Sequence, residues 1–405
     1  MSKVIIIGGG ASGIIAAIYA KNANNEVIIL EKNSVCGKKL LITGNGRCNY
    51  FNSDQELKHY HTNSNIDLKG VINSENLEII TNFFEKVGII PKIKNGYYYP
   101  LSNQATSIAN ALVLQAKLLG VEIKNNITVT DIISLDNKFL IKTDYEDFEC
   151  DKLILATGSK AAPKTGSDGF SYKLLEKLGH KIIKPLPALV QLKSNAKITS
   201  LWDGVRADAL ATLYINDEKE KEENGEVMLT DYGVSGICIF NLSGKVAIAL
   251  EENKSVSIKI NFLPTINMDI NWLENYNKKV VGRTVSELLD CLLNYKLVNA
   301  LLRVLKIDND SKLDELSDSK KEELIKALTN YEIEIVGTNS YDKAQVCSGG
   351  VSLEEIKLTT MESKIIPKLY LSGELLDVDG DCGGYNLTWA WISGMLAGKG
   401  ASSDD

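Results

Sequence analysis

KVIIIGGGASGIIAAIYAKNANNEVIILEK, residues 3–32, decides how this chain begins to fold. Val4–Ile7 is a short β-branched run, as expected of a strand buried on both faces. Gly8, Gly10 and Gly13 satisfy G-x-G-x-x-G, and the apolar residues after them read as a helix that starts at Ala11 and Ser12. A second apolar strand ends at Glu31. Gly8 permits the tight turn, Gly10 lets main chain approach a ligand, and Gly13 lets helix and strand pack closely. The helix start offers free N–H groups and partial positive charge to phosphates. Glu31, eighteen residues past Gly13 and followed by Lys32, is placed to accept hydrogen bonds from a ribose diol. Together these pieces predict a dinucleotide site. A plain βαβ unit with a glycine-rich turn is the blander alternative.

The 405 residues are enough for two or three domains. Apolar content of 44% and charged content of 24% are those of an ordinary globular protein. A net charge of −7 argues against nucleic acid and anionic membranes as partners. Residues 4–20 are uncharged, but three adjacent glycines interrupt any helix there, and no cleavage site stands clear of the run. Neither this run nor Leu387–Gly398 reaches the length of a usual spanning helix. The seven cysteines (36, 48, 150, 238, 291, 347, 382) have no CxxC or zinc spacing. They read as small buried residues of a cytoplasmic protein, and no metal site is predicted.

Further along, DKLILATGS (151–159) is an apolar strand running into Ala156, Thr157 and Gly158. KLYLSGELLDVDGDCGGYNLTWAWISGMLAG (368–398) is a strand, a glycine-rich loop and an apolar helix. Its alternating Asp377, Asp379 and Asp381 invite a calcium reading. An EF-hand needs Gly at its sixth position and Glu at its twelfth, where this chain has Cys382 and Thr388. LITGNGRCNYFN (41–52) concentrates glycine, asparagine, arginine and cysteine, so a phosphate cradle, a metal and a redox thiol are all conceivable there. The required spacing to G-K-[ST] is absent, and Cys48 has no nearby partner cysteine, which favours a packing or cofactor-contact role for it.

Residues 190–340 differ in pattern, with β-branched and alternating stretches that predict antiparallel strands. NDEKEKEENGE (216–226) reads as a solvated hairpin tip. TVSELLDCLLNYKLVNALLRVL (284–305) reads as one helix with a capping box from Thr284 to Glu287, and SKKEELIKAL as another capped by Ser319 and Glu322. The predicted layout is an FAD- or NAD-type domain over 1–190 and 335–405, an inserted β substrate domain over 191–263 and 328–340, and a helical subdomain over 264–327. The fold class is α/β: a Rossmann-like domain with a parallel sheet, discontinuous in sequence, plus the antiparallel insertion.

GKKLLITGNGRCNYFN, YYYPLSNQATSI, TGSDGFSYKLLEKLGH, GEVMLTDYGVSG and TMESKIIPKLYLSGELLDVDGDCGGYN, in that order, resemble one bacterial family of NAD(P)/FAD-dependent oxidoreductases. It contains BaiN-like bile-acid reductases and aminoacetone oxidase-like proteins. The resemblance implies that the dinucleotide is FAD, held non-covalently. It implies that residues 38–49 wrap the cofactor toward its ring, with Lys39 and Arg47 as cations and Thr43, Gly44, Cys48 and Asn49 as contacts. Val129 is implied as a further contact. Gly373 and Glu374 would lie by the ribityl chain, and Gly383, Gly384, Tyr385 and Asn386 would open the last helix beneath the pyrimidine edge.

The activity implied is hydride transfer between flavin N5 and a small organic molecule. Either an NAD(P)H-linked reduction of a conjugated double bond, as on a 3-oxo steroid acid, or oxidation of an amine by oxygen fits the family. No second G-x-G-x-x-G follows a strand, so NAD(P)H would dock transiently. A flavoprotein that modifies a tRNA base is the runner-up, disfavoured by the acidic charge. Arg47, Tyr99 and His180 are the catalytic candidates, and nothing in one sequence chooses among them. Oligomeric state is left open.

Overall fold

A computed structural model describes residues 2–136 and 138–403. The chain divides into two compact units. One runs from the N-terminus to Leu186 and resumes at Gln345; the other is Pro187–Ala344.

The first unit is built on a seven-stranded sheet. Its five parallel strands are β1 (Ser2–Ile7), β2 (Asn25–Glu31), β3 (Glu122–Asn125), β4 (Lys152–Leu155) and β5 (Leu369–Leu371). They lie side by side in the order β3-β2-β1-β4-β5, with two short antiparallel strands, Glu362–Ser363 and Ile356–Lys357, at the β5 edge. This is the doubly wound order, and it reverses direction between β1 and β4, where such sheets open a crevice at their carboxyl ends. Val4, Ile5, Ile6, Ile28, Ile29, Leu153 and Ile154 are wholly buried, which is why these strands are apolar without alternation.

Helix α1 (Ala11–Ala20) follows β1 directly, and α2 (Tyr385–Ser402) is the last helix of the chain. The two pack along their length through small residues. A Cβ on Gly394 would stand 2.4 Å from the Ser12 carbonyl oxygen, and one on Gly398 would stand 2.4 Å from that of Ala16. Among the described residues no helix is long and apolar enough to cross a membrane. The C-terminal apolar run is therefore a buried helix of a Rossmann-like domain, as its Trp389, Trp391 and Ile392 in the core require.

The second unit carries a seven-stranded antiparallel sheet with the helix Ile237–Glu251 packed on it. Three local expectations are corrected here. The charged run at 216–226 is not a tip: only Asn216 and Asp217 turn, and Glu218–Thr230 is a strand paired with Arg206–Ile215. Both turn residues sit in the left-handed region (φ 50° and 67°), which matches the twist of a two-residue hairpin. Alternating charges then pair along the hairpin, as in Lys221–Glu223 at 2.8 Å. The expected helix at 284–305 is two, Val285–Leu289 and Tyr295–Leu305, because Asn294 caps the second by accepting from Lys296 N–H at 2.9 Å. The Thr284–Glu287 capping box is present. The next helix is Asp318–Thr329, capped by Ser317 and not by Ser319.

Candidate active site

The carboxyl ends of β1 and β4 meet at Gly8. Its φ of +102° and the carbonyl oxygen of Ala156, 2.5 Å from where a Cβ would stand, admit no other residue. Gly13 serves packing, since a Cβ there would fall 1.9 Å from the Gly8 oxygen. Gly10 is different. Nothing lies within 4 Å of its virtual Cβ, so it faces open space at the start of α1, beside Ala11 and the largely buried Ser12.

Glu31 ends β2 and is 7% exposed. One carboxylate oxygen accepts from Gly9 N–H at 2.7 Å; the other accepts from Asn33 N–H at 2.7 Å and from the Asn33 side chain at 2.6 Å. These bonds fix the carboxylate beside the glycine turn and leave lone pairs for a diol. Lys32 pairs with Asp168 at 2.8 Å on the surface.

Lys39 and Glu374 form an ion pair at 2.6 Å, with Ser159 donating to the same Glu374 oxygen at 3.0 Å and Lys39 donating to the Ala161 carbonyl at 3.3 Å. Two residues expected to contact a cofactor separately are therefore each other's partner. Gly373 is fastened to α2: its N–H donates to Ser393 Oγ at 3.0 Å, and its carbonyl accepts from the Trp389 indole at 3.0 Å. Gly158 leads into Ser159, and a Cβ on it would stand 2.5 Å from Ser167 Oγ.

The stretch 41–52 is a tight wrap. Thr43 donates to the Leu40 carbonyl at 2.7 Å, Gly44 and Asn45 are left-handed, and Cys48 N–H returns to the Thr43 carbonyl at 3.0 Å. Cys48 is wholly buried, and burial pushes its thiol up to about 11, so it stays protonated at neutral pH. Arg47 is exposed, donates to the Gly44 carbonyl at 3.2 Å, and lies over the Tyr99 ring at 5.2 Å. Two of the catalytic candidates are thus stacked on one another. The third lies apart from them: His180 is 3% exposed, with Glu355 on Nδ1 at 3.1 Å and Ser363 on Nε2 at 3.0 Å. Burial lowers its pKa against the pull of Glu355. Both ring nitrogens are taken, and the residue braces the fold.

At the start of α2, Gly383 and Gly384 both have positive φ, 144° and 99°. A Cβ on Gly384 would stand 2.9 Å from the main chain of Phe51, so this glycine is required by a neighbouring backbone. Asn386 uses its amide to hold Gly380, accepting from its N–H and donating to its carbonyl, both at 2.8 Å. Tyr385 is buried against Tyr60 and His59. Val129 is buried in a three-stranded sheet with Phe139–Thr143 and Phe148–Cys150.

The residues present fit FAD. Gly10 leaves a cradle for a pyrophosphate at a helix N-terminus. Glu31 is fixed beside the glycine turn, with lone pairs that could take a ribose diol. Among the described residues, buried Thr157 Oγ1 and Asn49 Oδ1 have no hydrogen-bond partner, as two polar atoms facing a ligand would.

Sequence reasoning passed over His59 and His61. The first bonds Asp381 through Nδ1 at 2.9 Å and the second bonds it through Nε2 at 2.9 Å. The available signal is the H-x-H alternation of 59–61 alongside the D-x-D alternation of 377–381. In fact these acids diverge: Asp377 accepts from Thr62, Asn63 and Ser64, while Asp381 turns to the histidines.

Residues 2–400 match the family described as HI0933-like protein Rossmann domain. The chain is 37% identical to the 3-dehydro-bile acid delta(4,6)-reductase of Clostridium scindens, over 99% of both chains. It is 27% identical to the ribosomal RNA dihydrouridine synthase of Escherichia coli, over 96% of this chain and 95% of that one. In fold it is similar to the 3-ketosteroid-delta4-(5alpha)-dehydrogenase of Rhodococcus jostii, with a TM-score of 0.50, 14% identity, and 100% and 97% of the two chains covered. The chain belongs to the HI0933-like family of Rossmann-fold, FAD-dependent oxidoreductases.

Proposed function

We propose that this enzyme reduces a carbon–carbon double bond conjugated to a carbonyl group on a small steroid-like acid, with NADH or NADPH as a donor that docks transiently. The observation that carries this reading is the end-to-end 37% identity to a bile acid delta(4,6)-reductase. FAD, when bound, supplies the two-electron relay between donor and alkene. The chain's own contribution is placement. Gly8, Gly10 and Glu31 hold the dinucleotide end, and the Lys39–Glu374 pair with Ser159 stiffens the loop after β5. The 18-residue helix α2 presents its N-terminus after Gly384, where a partial positive charge favours developing negative charge by about 0.3–2 kcal/mol.

The second reading is reduction of a uridine in RNA, favoured by the 27% identity to the dihydrouridine synthase. Uracil also offers a double bond conjugated to a carbonyl, so the two readings share one chemistry and differ in what must bind. The net charge of −7 disfavours a polyanion. The test is anaerobic. Enzyme bleached by NADH or NADPH is mixed with a 3-oxo-4-ene bile acid or with a uridine-containing ribosomal RNA fragment. The yellow colour is expected to return with the bile acid as its enone absorbance falls. Return of colour only with RNA would select the second reading, and return only with oxygen would reject both in favour of an oxidase.

A further inference from the structure

The loop leading into α2 holds a second constellation that the dinucleotide cradle does not use. Asp379–Gly380 pairs antiparallel with Tyr60–His61, and Asp379 stands directly opposite His61. Opposed residues of an antiparallel pair project from the same face. His61 Nε2 lies 2.9 Å from one oxygen of Asp381, and His59 Nδ1 lies 2.9 Å from the other. His59 Nε2 reaches the surface residue Asp54 at 3.1 Å. The His59 ring lies flat on Tyr385, the first residue of α2, with centroids 4.5 Å apart and planes 14° apart. The row is thereby fixed to the start of α2.

Within it, His61 alone combines an anchored nitrogen with a free one. Its side chain is 34% exposed, against 8% for Asp381, and its Nδ1 carries no hydrogen bond among the described residues. A carboxylate on one ring nitrogen selects the tautomer and aims the other nitrogen, which is the arrangement a general acid or base needs. Behind His61, Asp379 is 5% exposed and its Oδ1 has no hydrogen-bond partner among the described residues.

We propose that His61 is the general acid–base residue of this enzyme, oriented by Asp381, which His59 holds in turn. The inference rests on the oxidoreductase reading above. Reduction of a conjugated double bond adds a hydride, with its electron pair, to one carbon and a proton to the other. The hydride comes from the nicotinamide donor by way of FAD. The proton leaves Nδ1 of protonated His61, whose imidazole becomes neutral with its remaining proton on Nε2 toward Asp381. Water then restores the Nδ1 proton. One nicotinamide, one proton and one double bond are consumed per turnover. Ionisable groups surround His61. Burial pushes Asp379 up to about 7, opposed by His61, and Asp377 and Asp381 add to the rise. His59, Asp54, Tyr60 and Tyr385 are further ionisable neighbours.

The chain has only three histidines, so protein labelled with nitrogen-15 at histidine gives an interpretable spectrum. In the FAD-loaded and FAD-free proteins, neutral His61 is expected to carry its proton on Nε2. Asp381→Asn is expected to release that preference. In pre-reduced holoenzyme, His61→Gln is expected to slow reduction of a 3-oxo-4-ene steroid by about 100-fold and to remove the fall in rate on the alkaline side of the pH profile, with FAD content and melting temperature held. A neutral His61 protonated on Nδ1, or a His61→Gln enzyme that reduces the steroid at the wild-type rate, would overturn the assignment. If wild-type enzyme reduces no enone, the substrate reading falls, and the tautomer with its response to Asp381→Asn decides His61 by itself.

Discussion

Gly10 and Gly384 both open a helix, and both belong to glycine-rich loops at the candidate site, yet they are glycine for opposite reasons. Around Gly10 there is nothing within 4 Å of a virtual Cβ, and φ is an ordinary −80°. Around Gly384 the main chain of Phe51 stands at 2.9 Å and φ is +99°. The first glycine borders open space at the start of a helix. The second keeps space for the protein. A glycine motif therefore says where main chain comes close, and only the neighbours say to what.

Gly384→Val should give the largest effect. Strain at positive φ costs about 1–3 kcal/mol, and the clash with Phe51 adds an overpacking cost of about the same size. Denaturant unfolding of the FAD-free protein is expected to show the loss. A variant that loses FAD with its apo stability intact would place Gly384 with Gly10 and break the comparison. Gly10→Ala should behave in the converse way. Its backbone angles suit alanine, so apo stability should fall by no more than about 1 kcal/mol, while FAD affinity, read by fluorescence on titration, should fall at least tenfold. Unchanged affinity would mean that the open space at Gly10 is not the pyrophosphate cradle.

Glu31→Gln sharpens the same contrast on the acid side of the cradle. Gln keeps one acceptor for Gly9 or Asn33 and loses the charge, so a charge-assisted bond to the ribose weakens. The expected loss is about 1.5–3 kcal/mol of FAD binding, or about 10–100-fold. The melting temperature without FAD should move far less. A variant that binds FAD with wild-type affinity would confine Glu31 to bracing the turn.

What could be read beforehand divides along the same line. The strand–glycine–helix–strand–acid run at 3–32 was legible because each piece follows the last in sequence and each has a local physical requirement. The strands β1, β2, β4 and β5 were each readable as apolar runs, whereas β3 at Glu122–Asn125, which pairs at the β2 edge, was not. The His61–Asp381 pair was not legible, since 320 residues separate its members and only the pairing of Tyr60–His61 with Asp379–Gly380 joins them. His180 drew attention for a loop position, whereas its surroundings, Glu355 and Ser363, are supplied by distant chain. The partner of Lys39 was hidden for the same reason, as Glu374 lies 335 residues away.

The pH dependence of stability probes the acidic side of this corner. Asp379 is raised from 3.8 to about 7, chiefly by burial. The folded state therefore holds its proton more tightly than the unfolded chain does. That contribution is fully present below the unfolded value and is lost as pH rises through about 7. Between pH 5 and 8 wild-type protein should lose melting temperature more steeply than Asp379→Asn. Parallel curves would show that Asp379 is ionised throughout, its charge balanced by the histidines.

Cys48→Ser should give the smallest effect, and it bears on the wrap rather than on either glycine. Cys48 is wholly buried at φ 58°, hydrogen-bonded by its N–H to the Thr43 carbonyl. Its thiol is pushed up to about 11 by burial, while a side-chain hydrogen bond with Thr43 pulls the other way. A thiol with that environment is a poor nucleophile at neutral pH, and all seven cysteines are free, so no disulfide partner stands ready. Serine is smaller and more polar, but it inherits the Thr43 bond, so burying its hydroxyl should cost only about 1 kcal/mol. The backbone angle need not change, since serine tolerates the left-handed region no worse than cysteine. Stopped-flow reduction of the bound FAD by its best donor, followed by reoxidation with substrate, should give wild-type rates for both halves. If reoxidation fails in Cys48→Ser while FAD content and the first half are normal, the thiol carries electrons or protons to substrate, and the wrap at 41–52 is part of the chemistry rather than its housing.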